Sequence, residues 1–181
     1  MRSKILLAAL AASAAFATPA MAQTSASDTA LARGTVLRPL TLVKVAGQDL
    51  DFGTVLASAL PGTVTMDADG GGRSFTGGVT LLGLVTGQRA LFAGVGVDGQ
   101  SVDIHLDPPA SGVLDHTNGV DTVAINSMTL DSNGVGDAFD RTVTINDVNG
   151  AFLVGVGGTF AIAANQEPGV YSATFSVTVD Y

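Results

Sequence analysis

Apolar and polar residues alternate along most of the chain after residue 34, which is the pattern of half-buried β-strands. The longest run closes the sequence, where residues 171–181 alternate without a break after the turn-forming pair Pro168-Gly169. We predict one uninterrupted strand over this segment. Its apolar face is predicted to lie in the core and to form the assembly face, and consists of Tyr171, Phe175, Val177, Val179 and Tyr181.

Similar alternation elsewhere predicts about nine strands in all. Pro39 favours an edge position or a bulge in the first of them, and Gly157-Gly158 favours a bulge or hairpin that interrupts another. Nothing has the period of a long helix, so the sequence predicts an all-β fold, a single antiparallel, immunoglobulin-like sandwich. Besides the terminal strand, the predicted strands cover residues 35–44, 62–66, 78–85, 90–97, 101–106, 121–130, 141–145 and 152–163.

The segments between these strands are predicted to be loops and an arm. Residues 107–119 contain Pro108-Pro109 and Asn118-Gly119, and residues 131–140 are polar, so both are predicted as long loops. Residues 23–34 are rich in Ser, Thr and Ala, with Leu31 as their bulky apolar side chain, which predicts a flexible N-terminal arm. Because no repeat or linker is evident, residues 35–181 are predicted to form one domain.

Residues 1–22 have the features of a secretory signal peptide. Arg2 and Lys4 form a basic start, residues 5–17 are a short apolar run, and Ala20-Met21-Ala22 matches the pattern that signal peptidase cleaves. The run is too short for a comfortable membrane span, so none is expected in the mature chain. The sequence therefore predicts export, to the periplasm, the outer surface or the extracellular space of a bacterium.

Composition restricts the function classes. Eight basic and 16 acidic residues give a formal charge of −8, which becomes −10 when the two cations Arg2 and Lys4 leave with the signal peptide. Such an acidic chain, with Lys44 as its one remaining lysine, lacks the clustered cations that bind phosphate, so no nucleic-acid partner is expected. No cysteine is present, which excludes disulfides, zinc–thiolate sites and a cysteine nucleophile.

The candidate catalytic residues are few. His105 lies on the polar side of a predicted strand and His116 in a predicted loop, and we interpret both as surface residues. Neither has the spacing of a zinc site, and no serine stands in a nucleophile elbow. We therefore predict that the protein is not an enzyme.

Two aspartate–glycine stretches resemble the start of calcium loops. Calcium needs several oxygen ligands gathered by a tightly turning backbone, but no later glutamate completes the pattern, and ordinary β-turns use the same residues. We predict turns and no cofactor, with calcium as the alternative. The candidate ligands are Asp67, Asp69, Asp131, Asn133 and Asp137.

Three segments together resemble a known family. They are Arg38-Pro39-Leu40-Thr41 with the later Leu50-Asp51-Phe52-Gly53, the stretch Val156-Gly157-Gly158-Thr159, and Gln166-Glu167-Pro168-Gly169-Val170-Tyr171 with the ending Val179-Asp180-Tyr181. The chain resembles a secreted bacterial family of domains of unknown function that is itself similar to spore coat protein U and chaperone–usher pilin subunits. The resemblance implies a sandwich in which the N-terminal extension of one subunit replaces a missing strand beside the C-terminal strand of the next, by β-augmentation.

Pattern and resemblance together predict an exported structural protein without catalysis, a fimbria-like or surface-layer subunit that assembles by β-strand complementation. The expected partners are other copies of itself or related subunits and a periplasmic chaperone. The alternative is a monomeric cell-surface binding module for a carbohydrate or protein, stabilised by calcium. Loops 107–119 and 131–140 would then carry the binding.

Cleavage after Ala22 would leave Gln23 at the N-terminus, where it can cyclise to pyroglutamate. The intact mass of protein from the producing cell is expected to match residues 23–181, with or without the loss of ammonia. A mass that retains residues 1–22 would contradict the predicted export signal.

Overall fold

The computed structural model describes residues 25–83, 86–132 and 135–181, without the side chains of residues 132–138. A compact unit begins at Val36. The described residues before it, 25–35, are exposed and form no strand. The predicted signal peptide, residues 1–22, and the first two residues of the predicted arm lie outside the described residues.

The described residues form fourteen β-strands and no helix, which confirms the predicted all-β class. It follows that this part of the chain contains no helix able to cross a membrane. The strands are β1 Thr41–Lys44, β2 Val55–Leu56, β3 Gly62–Met66, β4 Arg73–Gly77, β5 Thr80–Leu81, β6 Ala90–Val95, β7 Ser101–Asp107, β8 Val113–His116, β9 Thr122–Ser132, β10 Val135–Ala138, β11 Asp140–Thr144, β12 Ala151–Ile162, β13 Tyr171–Ser172 and β14 Ser176–Asp180.

The long strand β12 is the centre of a nine-stranded sheet. One edge of β12 pairs first with β6 and then with β3, and its other edge pairs with β9. The sheet continues through β1 beyond β6 and through β4 beyond β3. On the other side, β8 and β10 pair with β9, and β13 pairs with β8. All of these pairings are antiparallel.

A smaller sheet, in the order β11-β7-β14, packs against the first half of β12. Alternate residues of β7, Val102, Ile104 and Leu106, are at most 1% exposed. They share a core with Val154 and Val156 of the larger sheet. Two antiparallel sheets that enclose a core between them form a sandwich, as predicted from the alternation.

The second half of β12 contributes to a separate core. Phe160 and Ile162 pack there with Val64 and Val123 of the larger sheet. The ring of Phe52 covers this cluster, with its centroid 4.5 Å from that of Phe160 in an edge-on arrangement. Residues around the short β2–β5 pair complete the cover. One strand therefore supplies side chains to both cores.

Glycines in β12 allow another segment to lie directly on the outer face of the strand. A Cβ at Gly155 would stand 2.3 Å from the carbonyl oxygen of Ala68, and one at Gly157 would stand 2.3 Å from that of Met66. Arg89 Nη1 donates a 2.6 Å hydrogen bond to the Ala68 oxygen. The predicted interruption at Gly157-Gly158 is therefore wrong: the strand continues, and Gly157 serves close backbone approach rather than a turn.

Other predicted boundaries change for local reasons. The first strand begins at Thr41 rather than residue 35, after Pro39, which has no N–H for a ladder. Only Thr80–Leu81 of the predicted strand 78–85 is a strand, with residues 84 and 85 outside the described part. The predicted loops 107–119 and 131–140 contain β8 and β10, each of which forms a hairpin with β9.

The predicted terminal strand is divided between the two sheets. Tyr171 and Ser172 pair with β8 in the larger sheet, whereas residues 176–180 pair with β7 in the smaller one. Tyr171 packs against the second core, and Phe175 packs against the first. Because the sheets of a sandwich are about 10 Å apart, the chain must leave one ladder to enter the other. Residues 173–175 make that crossing.

We predict that Gly157→Ala lowers the free energy of unfolding by about 1–3 kcal/mol, since the new methyl group meets backbone atoms that cannot move aside. Gly72→Ala is the matched control, because a Cβ there has no atom within 4 Å. Urea unfolding of both variants measures the difference. Equal stability of the two variants would contradict the close approach over β12.

Candidate assembly surface

Strand β14 is an edge strand whose open side presents unpaired backbone groups. Leu106 N donates to Phe139 O at 2.9 Å, so the even residues of β7 direct their backbone groups away from β14. The odd residues direct theirs toward β14, where they face Ser176, Thr178 and Asp180 in the register. Val177 and Val179 therefore point their N–H and C=O groups outward, where the described chain supplies no hydrogen-bond partner.

The side chains along this edge are apolar and incompletely covered. Phe175, Val177 and Val179 are half-buried and pack against the first core, and the ring of Phe175 meets Phe92 edge-on with centroids 6.3 Å apart. Tyr181 is 43% exposed and donates a 3.1 Å hydrogen bond to Arg38 O. The edge thus combines free backbone groups with apolar side chains that a further strand would cover.

The structure brings four of the five predicted assembly residues to this edge and places the fifth elsewhere. Tyr171 packs in the second core, where its hydroxyl donates to Glu167 O at 2.6 Å and accepts from Gln166 Nε2 at 2.8 Å. The sequence could not show that Tyr171 belongs to the other core, because apolar and polar residues alternate in the same way before, within and after the crossing between the two sheets.

Three of the other edge strands, β1, β13 and β11, carry features that discourage pairing. β1 ends in Lys44, which pairs with Asp49. β13 is two residues long, and β11 begins with Asp140. β14 has five residues, with neither proline nor lysine, and its one charged residue, Asp180, is the last of them. By these criteria it is an edge suited to accept a strand.

An apolar groove of about 450 Å³ opens beside the start of β14. It lies between the segments 50–55 and 169–175, which contain two of the motifs singled out in the sequence. Pro109 and Leu114, from the predicted loop 107–119, line it as well. Its large side chains include Phe52, Ile125, Met128, Phe160, Tyr171 and Phe175.

The outer face of the small sheet carries carboxylates around one histidine. The His105 ring is bonded through Nδ1 to Asp140 and through Nε2, at 3.0 Å, to Asp107. These hydrogen bonds, that of Asp140 first, raise the pKa of His105 above its ordinary value of 6.5. The side chain of His105 is 49% exposed, as predicted for the polar face, but the alternation could not reveal its partners.

His116 is not the exposed loop residue that the sequence predicts. It ends β8, is half-buried, and its ring lies 4.7 Å from that of Tyr171. Asn118 N donates to its Nδ1, and its buried Nε2 has no partner among the described residues. A Cβ at Gly169 would stand 1.7 Å from this Nε2, so the Pro168-Gly169 turn needs glycine to pass the ring.

The calcium candidates are only partly described. Asp67 Oδ1 accepts the backbone N–H of Asp69, as in an ordinary turn. Asp131 is 5% exposed, and its Oδ1 lacks a partner among the described residues. Asn133 and the side chain of Asp137 lie outside the described part. Within that part, no three His, Asp or Glu residues are grouped as metal ligands would be.

Residues 40–181 match the family described as "Domain of unknown function (DUF4402)". The match covers the whole sandwich from the last residue before β1, so the chain belongs to this family. No curated protein and no solved structure is significantly similar to the chain.

We predict that His105 stabilises the fold at acidic pH. Because its folded pKa is raised, this stability is fully present below the unfolded value of 6.5 and disappears as the pH rises through the folded pKa. Urea unfolding of the native chain and of His105→Gln should differ most at about pH 5.5 and converge at alkaline pH. A pH-independent difference would contradict the charged pairing.

Proposed function

We propose that the protein is an exported, non-catalytic structural subunit that assembles with other copies of itself by β-strand complementation at the edge of β14. The observation that supports this most directly is the outward backbone of Val177 and Val179 beside half-buried apolar side chains. A strand added there would satisfy the backbone groups and cover the exposed apolar surface.

The sequence supports the location and the kind of assembly. The basic start, apolar run and Ala20-Met21-Ala22 favour export. The resemblance to spore coat protein U and to pilin subunits favours an N-terminal segment as the added strand. Exposed residues 25–35 would provide such a segment without unfolding any strand of the domain that donates it.

A second candidate function is a binding module that uses the apolar groove between segments 50–55 and 169–175. About 450 Å³ with aromatic walls would hold an apolar side chain or a short peptide. In this case the protein would remain a monomer, and its ligand would be a protein or a carbohydrate at the cell surface.

A proline substitution can test the open edge of β14 without removing the hydrogen bonds that join β14 to β7. Val177→Pro removes an N–H that points away from β7, so the intramolecular ladder stays intact while the edge loses one of its two outward N–H donors and its straight extended geometry. We expect this variant of the mature chain to unfold cooperatively but to remain monomeric in multi-angle light scattering, at concentrations at which the unmodified chain assembles.

Thr142→Pro is the matched control, because Thr142 directs its N–H outward from β11, the other edge of the same sheet. It should assemble like the unmodified chain. Assembly of Val177→Pro, or a monomeric unmodified chain, would contradict strand complementation at β14. A monomer that is stabilised by an apolar peptide would favour the binding module instead.

A further inference from the structure

Odd- and even-numbered residues of an extended arm lie on opposite faces, and their side chains decide which face can insert into a neighbouring subunit. In an extended strand, Leu31 and Arg33 point to the same side, whereas Ala30, Ala32, Gly34 and Val36 point to the other. Inserting Leu31 into the apolar edge would place the Arg33 guanidinium there too, and a buried unpaired charge is strongly unfavourable. The small apolar face is therefore the one compatible with insertion.

The acceptor edge suits small side chains. Val177 and Val179 are already half-buried against the first core, so only part of each side chain remains to be covered. Val36, the first residue of the compact unit, is 95% exposed, so its own domain does not cover it and it can extend the inserted face of the arm. The lack of bulky residues in the arm, which makes it a poor plug for a deep pocket, fits an edge whose side chains are already partly covered.

The charges on the outer, solvent-facing side of the small sheet also favour this orientation of the arm. With the small face inward, Arg33 lies on the outer face of the sheet, where β14 contributes Asp180 and β7 contributes Asp103 opposite it. The other charged or titratable groups among the described side chains of that outer face are His105, Asp107 and Asp140, and His105 is already paired with the two aspartates. Asp103 and Asp180 are exposed carboxylates that form no ion pair within the described residues, and Asp103 accepts a hydrogen bond from the Thr142 hydroxyl.

We infer that residues 32–36 of a second copy lie antiparallel along β14, with Ala32, Gly34 and Val36 inward and with Arg33 paired to Asp180. This rests on the strand complementation proposed above and adds its register. Adjacent strands bring opposed side chains within about 5 Å at Cβ, where opposite charges attract and like charges repel. If the arm runs antiparallel to β14, as β7 does on its other side, this ion pair places Gly34 opposite Val179 and Val36 opposite Val177.

Charge reversal in the full mature chain tests the register. Arg33→Asp alone and Asp180→Arg alone should each raise the concentration at half-assembly, on the order of tenfold, because each puts like charges opposite each other. The double variant should restore the native value. Arg33→Asp combined with Asp69→Arg is the control of equal net charge, since Asp69 is exposed in a turn that is distant in sequence from β14. This control variant should not restore assembly.

Two further variants test the inserted face. Ala32→Lys should abolish assembly because it places a charge against the apolar edge, whereas Leu31→Lys should leave assembly intact. Assembly of Ala32→Lys but not of Leu31→Lys, or a double charge variant that assembles no more readily than the single ones, would overturn the register. The strand complementation itself is tested separately by Val177→Pro. A chain that stays monomeric at all concentrations, with stability that follows the same charge pattern, would place the arm on its own domain and overturn the assignment to a second copy.

Discussion

The register of β12 is the constraint on which the rest of the structure depends. Its even residues supply both cores, Val154 and Val156 to the first and Phe160 and Ile162 to the second. A shift by one residue would turn every one of these side chains outward and bring the odd residues into the cores. The odd face includes Gly155 and Gly157, which could fill neither core. One register of β12 therefore meets both requirements. Its even residues are buried in the cores, and its odd glycines leave room for the segment that lies on the other face.

The unequal size of the two sheets explains where apolar surface remains uncovered. The larger sheet extends along all of β12, while the three-stranded sheet covers its first half and loop segments cover much of the second. Two of the incompletely covered regions, the open side of β14 and the groove next to Phe175, adjoin each other. The two candidate functions arise from these adjoining gaps, and the last segment of the chain, which crosses between the sheets, borders both of them.

The sequence predicts what depends on local alternation and misses what depends on partners. The strand 62–66 was predicted to the residue, and 101–106 within one residue, because each has one solvated and one buried face. The alternation from Tyr171 to Val179 also correctly indicates extended chain. However, the alternation of apolar and polar residues does not change where the chain passes from one sheet to the other, so the sequence does not reveal the crossing. The pairing of His105 with Asp140 depends on a partner 35 residues away. Edge status likewise follows only from the complete set of pairings.

The position of β12 in the chain has a consequence for folding. It is the twelfth of the fourteen described strands, yet it joins β3, β6 and β9 into one sheet, and Thr65 bonds Thr159 across 94 residues. Hairpins such as β3–β4 and β8–β9 can form early, because their strands are close in sequence. The sheet itself cannot close until residues 151–162 have been synthesised, and topologies dominated by such distant contacts fold slowly. During that interval the apolar faces of the early strands are exposed, so the nascent chain passes through an aggregation-prone stage imposed by its strand order.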